Sequence, residues 1–187
     1  VAYDKAKAKK LFEAGMKEAG QSQLNLTLLA DDADVSKQVA EYLQGAFEDL
    51  PNVKVTIKSI PKAQRLQAMM SGHYDMVVTG WQSIFADAYN FLDVWISNSS
   101  YNTSGYKDAK LDQLLSETET KYGNEPQKRW TMLQDAEKIL MKDQGTLPLY
   151  QANNLELLRS SVKGVSFNPN GTPYDFKTAY ILSLIHI

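Results

Sequence analysis

Val53-Lys54-Val55-Thr56-Ile57-Lys58 alternates apolar and polar side chains over six residues, the period of a strand with one face on a core and one in water. Reading backwards, Pro51 stops a helical pattern made by Val35, Val39, Tyr42, Leu43, Ala46, Phe47 and Leu50, and Asp32 or Asp34 stands ready to cap its start. Before it, Leu24, Leu26 and Leu28 alternate with Asn25 and Thr27 as another strand. Reading forwards, a short helix over 62–70 ends near Gly72, and the more continuously apolar residues 74–79 make a third strand. The order is β-α-β-α-β, for which parallel strands and right-handed crossovers are strongly favoured. The expected fold class is therefore α/β, a mostly parallel sheet flanked by helices. A first helix over about 4–19 is expected to pack on that sheet through Ala8, Leu11, Phe12 and Met16.

Beyond Asp87 the pattern changes. Residues 89–96 are short and aromatic, and 97–105 form a polar loop. Two helices follow. One spans about 108–122 with Leu111, Leu114, Leu115 and Thr118 on one face; the other spans about 125–142 and carries Trp130, Leu133, Ala136 and Leu140. Asn124 and Gln127 have the spacing of a capping box, and Pro126 suits a first helical turn. Residues 146–150 and 155–159 read as short strands, and 164–180, with Pro169, Gly171 and Pro173, as mostly loop. The closing Leu182-Ser183-Leu184-Ile185-His186-Ile187 follows no turn or cap. It is read as a non-native tail translated from vector or adaptor, with a genuine edge strand as the other reading.

Composition narrows the function classes. The chain has 187 residues, 43% of them hydrophobic, with 20 basic and 22 acidic side chains and a net charge of −2. That balance gives no electrostatic reason to expect nucleic acid or an anionic membrane. The densest basic cluster, Lys5, Lys7, Lys9 and Lys10, reads as a solvated helix face. Without cysteine there is no disulfide scaffold, thiol nucleophile or thiolate metal site. No stretch reaches the roughly 18 consecutive apolar residues of a membrane span. The start resembles no signal peptide and reads like the middle of a longer protein.

Catalytic chemistry finds little support. His73 and His186 are the two histidines, and His73 lies at the amino end of a strand, where a surface turn explains it. Asp31, Asp32 and Asp34 are better read as capping acids than as a calcium loop, which would need its Gly and terminal Glu. No spacing suits a metal, and no glycine loop suits a phosphate. Neither a cofactor nor a metal is expected. Ligands of an open parallel sheet bind beyond the carboxyl ends of its strands, which selects Ala30-Asp31-Asp32, Ile60-Pro61-Lys62 and residues 79–87. In the last stretch Gly80 permits close backbone approach, and Trp81, Phe85, Tyr89, Phe91 and Trp95 crowd into fifteen positions. The later aromatics suit either a helix seam or a surface. Trp81, on a strand-end loop beside main-chain N–H and C=O groups, suits a pocket for an extended apolar or peptidic ligand.

Several blocks together carry a family likeness. They are Tyr3-Asp4-x3-Ala8-x2-Leu11-x3-Gly15, then Gly72-x-Tyr74-Asp75-Met76-x4-Trp81 with Phe91-Leu92-Asp93 ten residues past the Trp. Asn102-x3-Tyr106, Leu111-Asp112-x-Leu114-Leu115, Leu147-Pro148-Leu149-Tyr150 and Val162-x-Gly164-Val165 follow in order. From Tyr3 to Ile181 the chain resembles the last lobe of the oligopeptide-binding proteins of ABC importers, solute-binding protein family 5. The resemblance implies a lobe of the type II periplasmic-binding-protein kind. Residues 1–181 would be the second lobe of a longer two-lobed protein, including the return towards the first, with 182–187 outside it. It implies an oligopeptide ligand, ABC permease subunits and the missing first lobe as partners, and no enzyme activity. It implies a location on the extracellular face as a lipoprotein or in the periplasm. It also carries the ligand contact onto Thr79, Gly80, Trp81, Gln82, Ser83, Ile84 and Phe85. Many relatives hold the peptide α-amine with an Asp three residues after the Trp; here that position is Ile84, and Asp87 matches a second, less directly involved acid. A peptide-pheromone receptor of the same fold is the first alternative. A small α/β hydrolase or transferase is the second, with Asp31, Asp32 or Ser83 as its available candidates.

Overall fold

The first residues that commit the chain to its sheet are Leu28, Leu29 and Ala30, all buried, because a strand covered on both faces needs an unbroken apolar run. In the computed structural model, which describes residues 3–182, they lie in β1 (Leu24–Asp31), the centre of a three-stranded sheet ordered β2-β1-β3. β2 (Val53–Ile60) pairs parallel with β1 from Leu24↔Val53 to Asp31↔Ile60. β3 (Met76–Val77) pairs parallel on the other side, Leu28↔Met76 and Leu29↔Val77. α2 (Asp34–Glu48) buries Ala40 and Leu43, with Val39 and Phe47 partly covered, against Leu28, Ala30 and Val55. It also serves the sheet edge: Gln44 Nε2 donates to the Val55 carbonyl at 2.7 Å and Glu48 Oε1 accepts the Val55 N–H at 2.9 Å. Those main-chain groups would otherwise invite a foreign strand.

Several expectations change here. β3 is two residues long rather than spanning 74–79. Ahead of it the Asp75 carboxylate, not main chain, accepts the Thr27 N–H at 2.8 Å, and after it only Val78 N–H still reaches the Leu29 carbonyl. α2 starts after Ala33 with no side-chain cap, so neither Asp32 nor Asp34 caps it; Asp34 sits in the first turn, where its charge favours the helix dipole. α1 (Lys5–Glu18) forms and is capped by Asp4, but buries none of its residues. Ala8 and Leu11 are exposed and Phe12 and Met16 only partly covered, so the expected packing is absent: among fourteen residues, three large apolar side chains make too narrow a stripe. An exposed 2.7 Å ion pair, Lys5 with Asp49, links the start of α1 to the end of α2. α3 (Lys62–Met70) stops just before Gly72, as expected, and the φ of +71° at Gly72 turns the chain out of the helix.

The chain divides after Gly80, and the residues from Trp81 onward form a second unit. Its core is Leu92, Leu111, Leu115, Leu133, Ala136 and Leu140, supplied by α4 (Tyr89–Leu92), α5 (Ala109–Thr120) and α6 (Pro126–Asp143). Asp108 caps α5 by accepting the Leu111 N–H at 2.6 Å. The expected Asn124–Gln127 capping box does not form. Pro126 takes the first helical position and makes Glu125 the cap residue, which breaks the three-residue spacing. Trp130 is half exposed rather than in the core. Residues 146–150 and 155–159 are not strands: among the described residues no strand pairs with them, and Leu155 and Leu157 stand in solvent.

The stretch 164–180 is mostly loop, as expected, and two short antiparallel ladders pin it and its flanks, β4 (Val162–Lys163) with β7 (Tyr180–Ile181) and β5 (Ser166–Phe167) with β6 (Tyr174–Asp175). Leu182 N–H adds a 2.7 Å bond to the Ser161 carbonyl, and residues 183–187 of the proposed tail lie outside the described residues. Gly164 has φ +71° and a Cβ there would lie 2.0 Å from the Thr178 carbonyl oxygen. Gly164→Ala is expected to destabilise the protein by about 1–3 kcal/mol or more, read from the urea midpoint. Tyr106, whose hydroxyl donates to Asp143 at 3.2 Å, has its phenol pushed from 10.0 up to about 12 by burial and then by the Asp143 charge. The unfolded chain loses that proton first, so stability is full below about pH 10 and falls as pH rises towards about 12. Tyr106→Phe is expected to flatten that alkaline slope in melts taken across the same range.

Candidate functional site

Parallel pairing brings the carboxyl ends of β1, β2 and β3 to one edge. Asp31 ends β1 there, and the chain leaves β3 through Val78 towards Thr79. Arg65, on α3, is only 3% exposed. Its Nε donates to Asp31 Oδ1 at 2.8 Å, Nη2 to Oδ2 at 3.5 Å, and Nη1 to Thr79 Oγ1 at 2.9 Å. One guanidinium therefore clasps the ends of two strands, with the planar multi-donor geometry that lysine lacks. Asp31 is neither a helix cap nor a free acid; its charge is committed to Arg65. Sequence reading missed Arg65, because Leu66 and Met70 mark the apolar face of that helix and both are exposed.

In the second unit, the loop after Trp81 is held by α4. Trp81 Nε1 donates to the Asn90 carbonyl at 2.6 Å, and its ring meets Tyr101 edge-on at a centroid distance of 5.1 Å, leaving Trp81 40% exposed. Ile84 N–H donates to Asn90 Oδ1 at 2.9 Å, while the side chains of Ile84 and Phe85 are exposed. Ser83 differs from expectation. It is 2% exposed, its hydroxyl donates to the Phe85 carbonyl, and its own carbonyl accepts the Gly171 N–H at 3.0 Å. Its side chain supports the loop and does not line a surface, and its carbonyl is already used. Thr79, Gly80 and Gln82 are exposed. Among the described residues, no hydrogen bond involves the main chain of Gly80, Trp81 or Gln82. Of the later aromatics, Tyr89 and Trp95 pack on the core, whereas Phe91 is exposed.

Asp87 is occupied. Its carboxylate lies 2.9 Å from Arg129 and accepts the Tyr89 N–H, and Arg129 reaches Glu119 at 2.7 Å. These three line a cavity of about 380 Å³ with Gly123, Pro126 and Trp130. Burial, followed by the Glu119 charge, pushes the Tyr89 phenol up. His73 is an exposed turn residue with Nδ1 2.7 Å from Ser71 Oγ, as expected from its place before β3. Among the described residues no group of three His, Asp or Glu side chains could hold a metal ion, and no helix is long and apolar enough to cross a membrane.

Comparison with known proteins follows the same lines. The family model for bacterial extracellular solute-binding proteins, family 5 middle, matches residues 1–103. A dipeptide-binding protein of Lactococcus lactis subsp. cremoris is 34% identical over 182 residues, covering 96% of this chain and 33% of the relative. The substrate-binding domain of an oligopeptide ABC transporter from Bacillus anthracis superposes with a TM-score of 0.90 at 31% identity, over 98% of this chain and 36% of that one. The pheromone receptor PrgZ, solved for its mode of peptide binding, superposes with a TM-score of 0.85 at 31% identity, over 97% of this chain and 35% of that one. The chain thus spans about a third of the length of the curated relatives it matches. The type II lobe architecture expected from the sequence is the fold these structures share.

Arg65 supplies the test of the strand-end clasp. Arg65→Ala leaves Asp31 half-buried and unpaired and is expected to cost about 3–5 kcal/mol. Arg65→Met combined with Asp31→Asn is expected to recover more than half of that loss. Chemical denaturation of the three proteins makes the comparison.

Proposed function

This chain belongs to family 5 of the bacterial extracellular solute-binding proteins, and we propose on that footing that it is part of a receptor that binds oligopeptides outside the cytoplasm and delivers them to an ABC permease. In this reading residues 1–181 are the second lobe with its return segment, and a first lobe, absent from this chain, completes the cleft. The receptor sits at the extracellular face as a lipoprotein or in the periplasm, needs no cofactor and performs no chemistry. The observation that carries the reading is the strand-end loop. Exposed Trp81 and Phe85 accompany main chain at Gly80, Trp81 and Gln82 that has no partner among the described residues. Such a loop meets an extended peptide as a neighbouring strand would, with main-chain bonds for affinity and apolar surface for side chains. Thr79, Gly80, Trp81, Gln82, Ile84 and Phe85 are the proposed contacts, and Ser83 holds them in shape from below.

Two observations weigh against the hydrolase or transferase alternative. Asp31 is tied to Arg65, and the buried Ser83 hydroxyl is spent on a carbonyl. The likeness to PrgZ keeps pheromone sensing as the second reading, since the same fold and loop serve either role. Identification by mass spectrometry of the peptides retained by the full-length protein separates the two: a mixed population supports delivery, and a single sequence supports sensing.

Ile84 shapes the ligand class. An isoleucine cannot neutralise an ammonium, and Asp87, already paired with Arg129, is not free to do so. Burying an unpaired α-amine beside Ile84 would cost several kcal/mol, so the favoured ligands have their amino terminus elsewhere and are longer or more apolar. N-acetylation of a bound peptide is expected to change its Kd less than about threefold, under 1 kcal/mol. Ile84→Asp is expected to introduce a preference for the free amine. A tenfold or larger loss on acetylation with the unaltered protein would refute this assignment; calorimetry with matched peptides decides it.

A further inference from the structure

We infer that Asn90 is the positioning residue of the proposed peptide loop, required as an asparagine because its side chain must accept on one side and donate on the other; the inference rests on the peptide-binding reading above. Asn90 is 4% exposed. Its Oδ1 accepts the Ile84 N–H at 2.9 Å, and its Nδ2 faces Asp93 Oδ2 at 3.4 Å. Its main-chain carbonyl accepts Trp81 Nε1 at 2.6 Å, and its N–H donates to the Asp87 carbonyl at 3.2 Å. Four bonds therefore converge on one buried residue, and two of them hold the loop residues that carry the exposed apolar side chains.

The amide orientation is not free. Turned over, it would set Nδ2 against the Ile84 N–H and Oδ1 against the Asp93 carboxylate, so both neighbours demand the same arrangement. An aspartate at 90 would keep the acceptor for Ile84 but oppose Asp93 with a second carboxylate. A leucine would leave the Ile84 N–H without its acceptor. Asp93 depends on the amide in turn, because its other oxygen, Oδ1, is buried with no partner among the described residues. The pair thus reads as one unit: Asp93 orients Asn90, and Asn90 orients Ile84 and, through its carbonyl, Trp81. Neither side chain needs to touch ligand for the loop's affinity to depend on both.

The test uses Asn90→Asp, Asp93→Asn and the double variant Asn90→Asp/Asp93→Asn in the full-length protein. The double variant exchanges donor and acceptor between the two positions and keeps the net charge. Without ligand, hydrogen–deuterium exchange over residues 82–86 is expected to quicken by about tenfold or more in Asn90→Asp, with α5 and α6 unchanged, and to return to within about threefold of the parent in the double variant. Calorimetry then uses the hexapeptide that the parent binds most tightly from a defined hexapeptide mixture. Its Kd is expected to rise by about tenfold in Asn90→Asp and to recover in the double variant. Should Asn90→Asp alone not fold, recovery in the double variant measured against the parent carries the test. Unchanged loop exchange in Asn90→Asp, a double variant as perturbed as the single one, or faster exchange with unchanged affinity overturns the inference. A parent that binds no hexapeptide refutes the proposed function instead, and the exchange measurement still decides whether Asn90 holds the loop.

Discussion

Parallel pairing is the constraint on which the rest of the first unit depends. Strands that run the same way must end at the same edge, and each return to the start needs a crossover. With β1 between β2 and β3, the exits at Asp31, Ile60 and Val77 are forced together. The chain then has to manage main chain, a carboxylate and a threonine hydroxyl at one place. Arg65 does so from α3, and its burial is tolerated because each side of the guanidinium meets an oxygen. The same edge is where open parallel sheets bind ligands, and Thr79, the first of the proposed contacts, is tied to it by Arg65.

Buried polar side chains are few among the described residues: Arg65, Ser83, Asn90 and Thr118. Thr118 answers to its own helix, donating to the Leu115 carbonyl. The other three hold non-helical backbone in place: Arg65 the end of the first unit, Ser83 and Asn90 the loop that opens the second. A loop that is to offer its main chain to a ligand, as proposed for this one, cannot use those groups to fix itself. It needs side chains from elsewhere, and a buried hydrogen bond is strong where water does not compete. Gly171 adds a main-chain bond to that support, its N–H donating to the Ser83 carbonyl at 3.0 Å.

How much was legible in advance depends on what each residue answers to. The strand of Val53, Val55 and Ile57 and the helices bearing Leu43, Leu111 and Leu133 were readable, because periodicity reports which face is buried. The helix over 4–19 was readable as a helix but not in its packing, since amphipathicity does not say whether a surface awaits it. Leu155 and Leu157 misled in the same manner: their alternation is strand-like, yet a strand exists only with a partner backbone. Within the proposed site, Trp81 and the exposed Ile84 and Phe85 were visible from their position after a strand. Arg65 and Asn90 were not: Arg65 answers to Asp31, 34 positions away, and Asn90 to loop main chain whose path no side-chain period reports.

The sequence by itself determined the α/β class, the order of the elements in the first unit and the stretch, residues 79–85, that follows the last parallel strand. Those follow from local chemistry: side-chain period, turn residues, and the rule that parallel strands share an exit edge. Only the tertiary structure decided which polar groups are consumed and which stay available. Asp31, read as a capping acid, is bound to Arg65 instead, and Ser83 and Asp87 are bound as well, while among the described residues the main chain of Gly80, Trp81 and Gln82 has no hydrogen-bond partner. For the two acids that division rests on partners far apart in sequence, 34 positions from Asp31 to Arg65 and 42 from Asp87 to Arg129, and no local pattern encodes them.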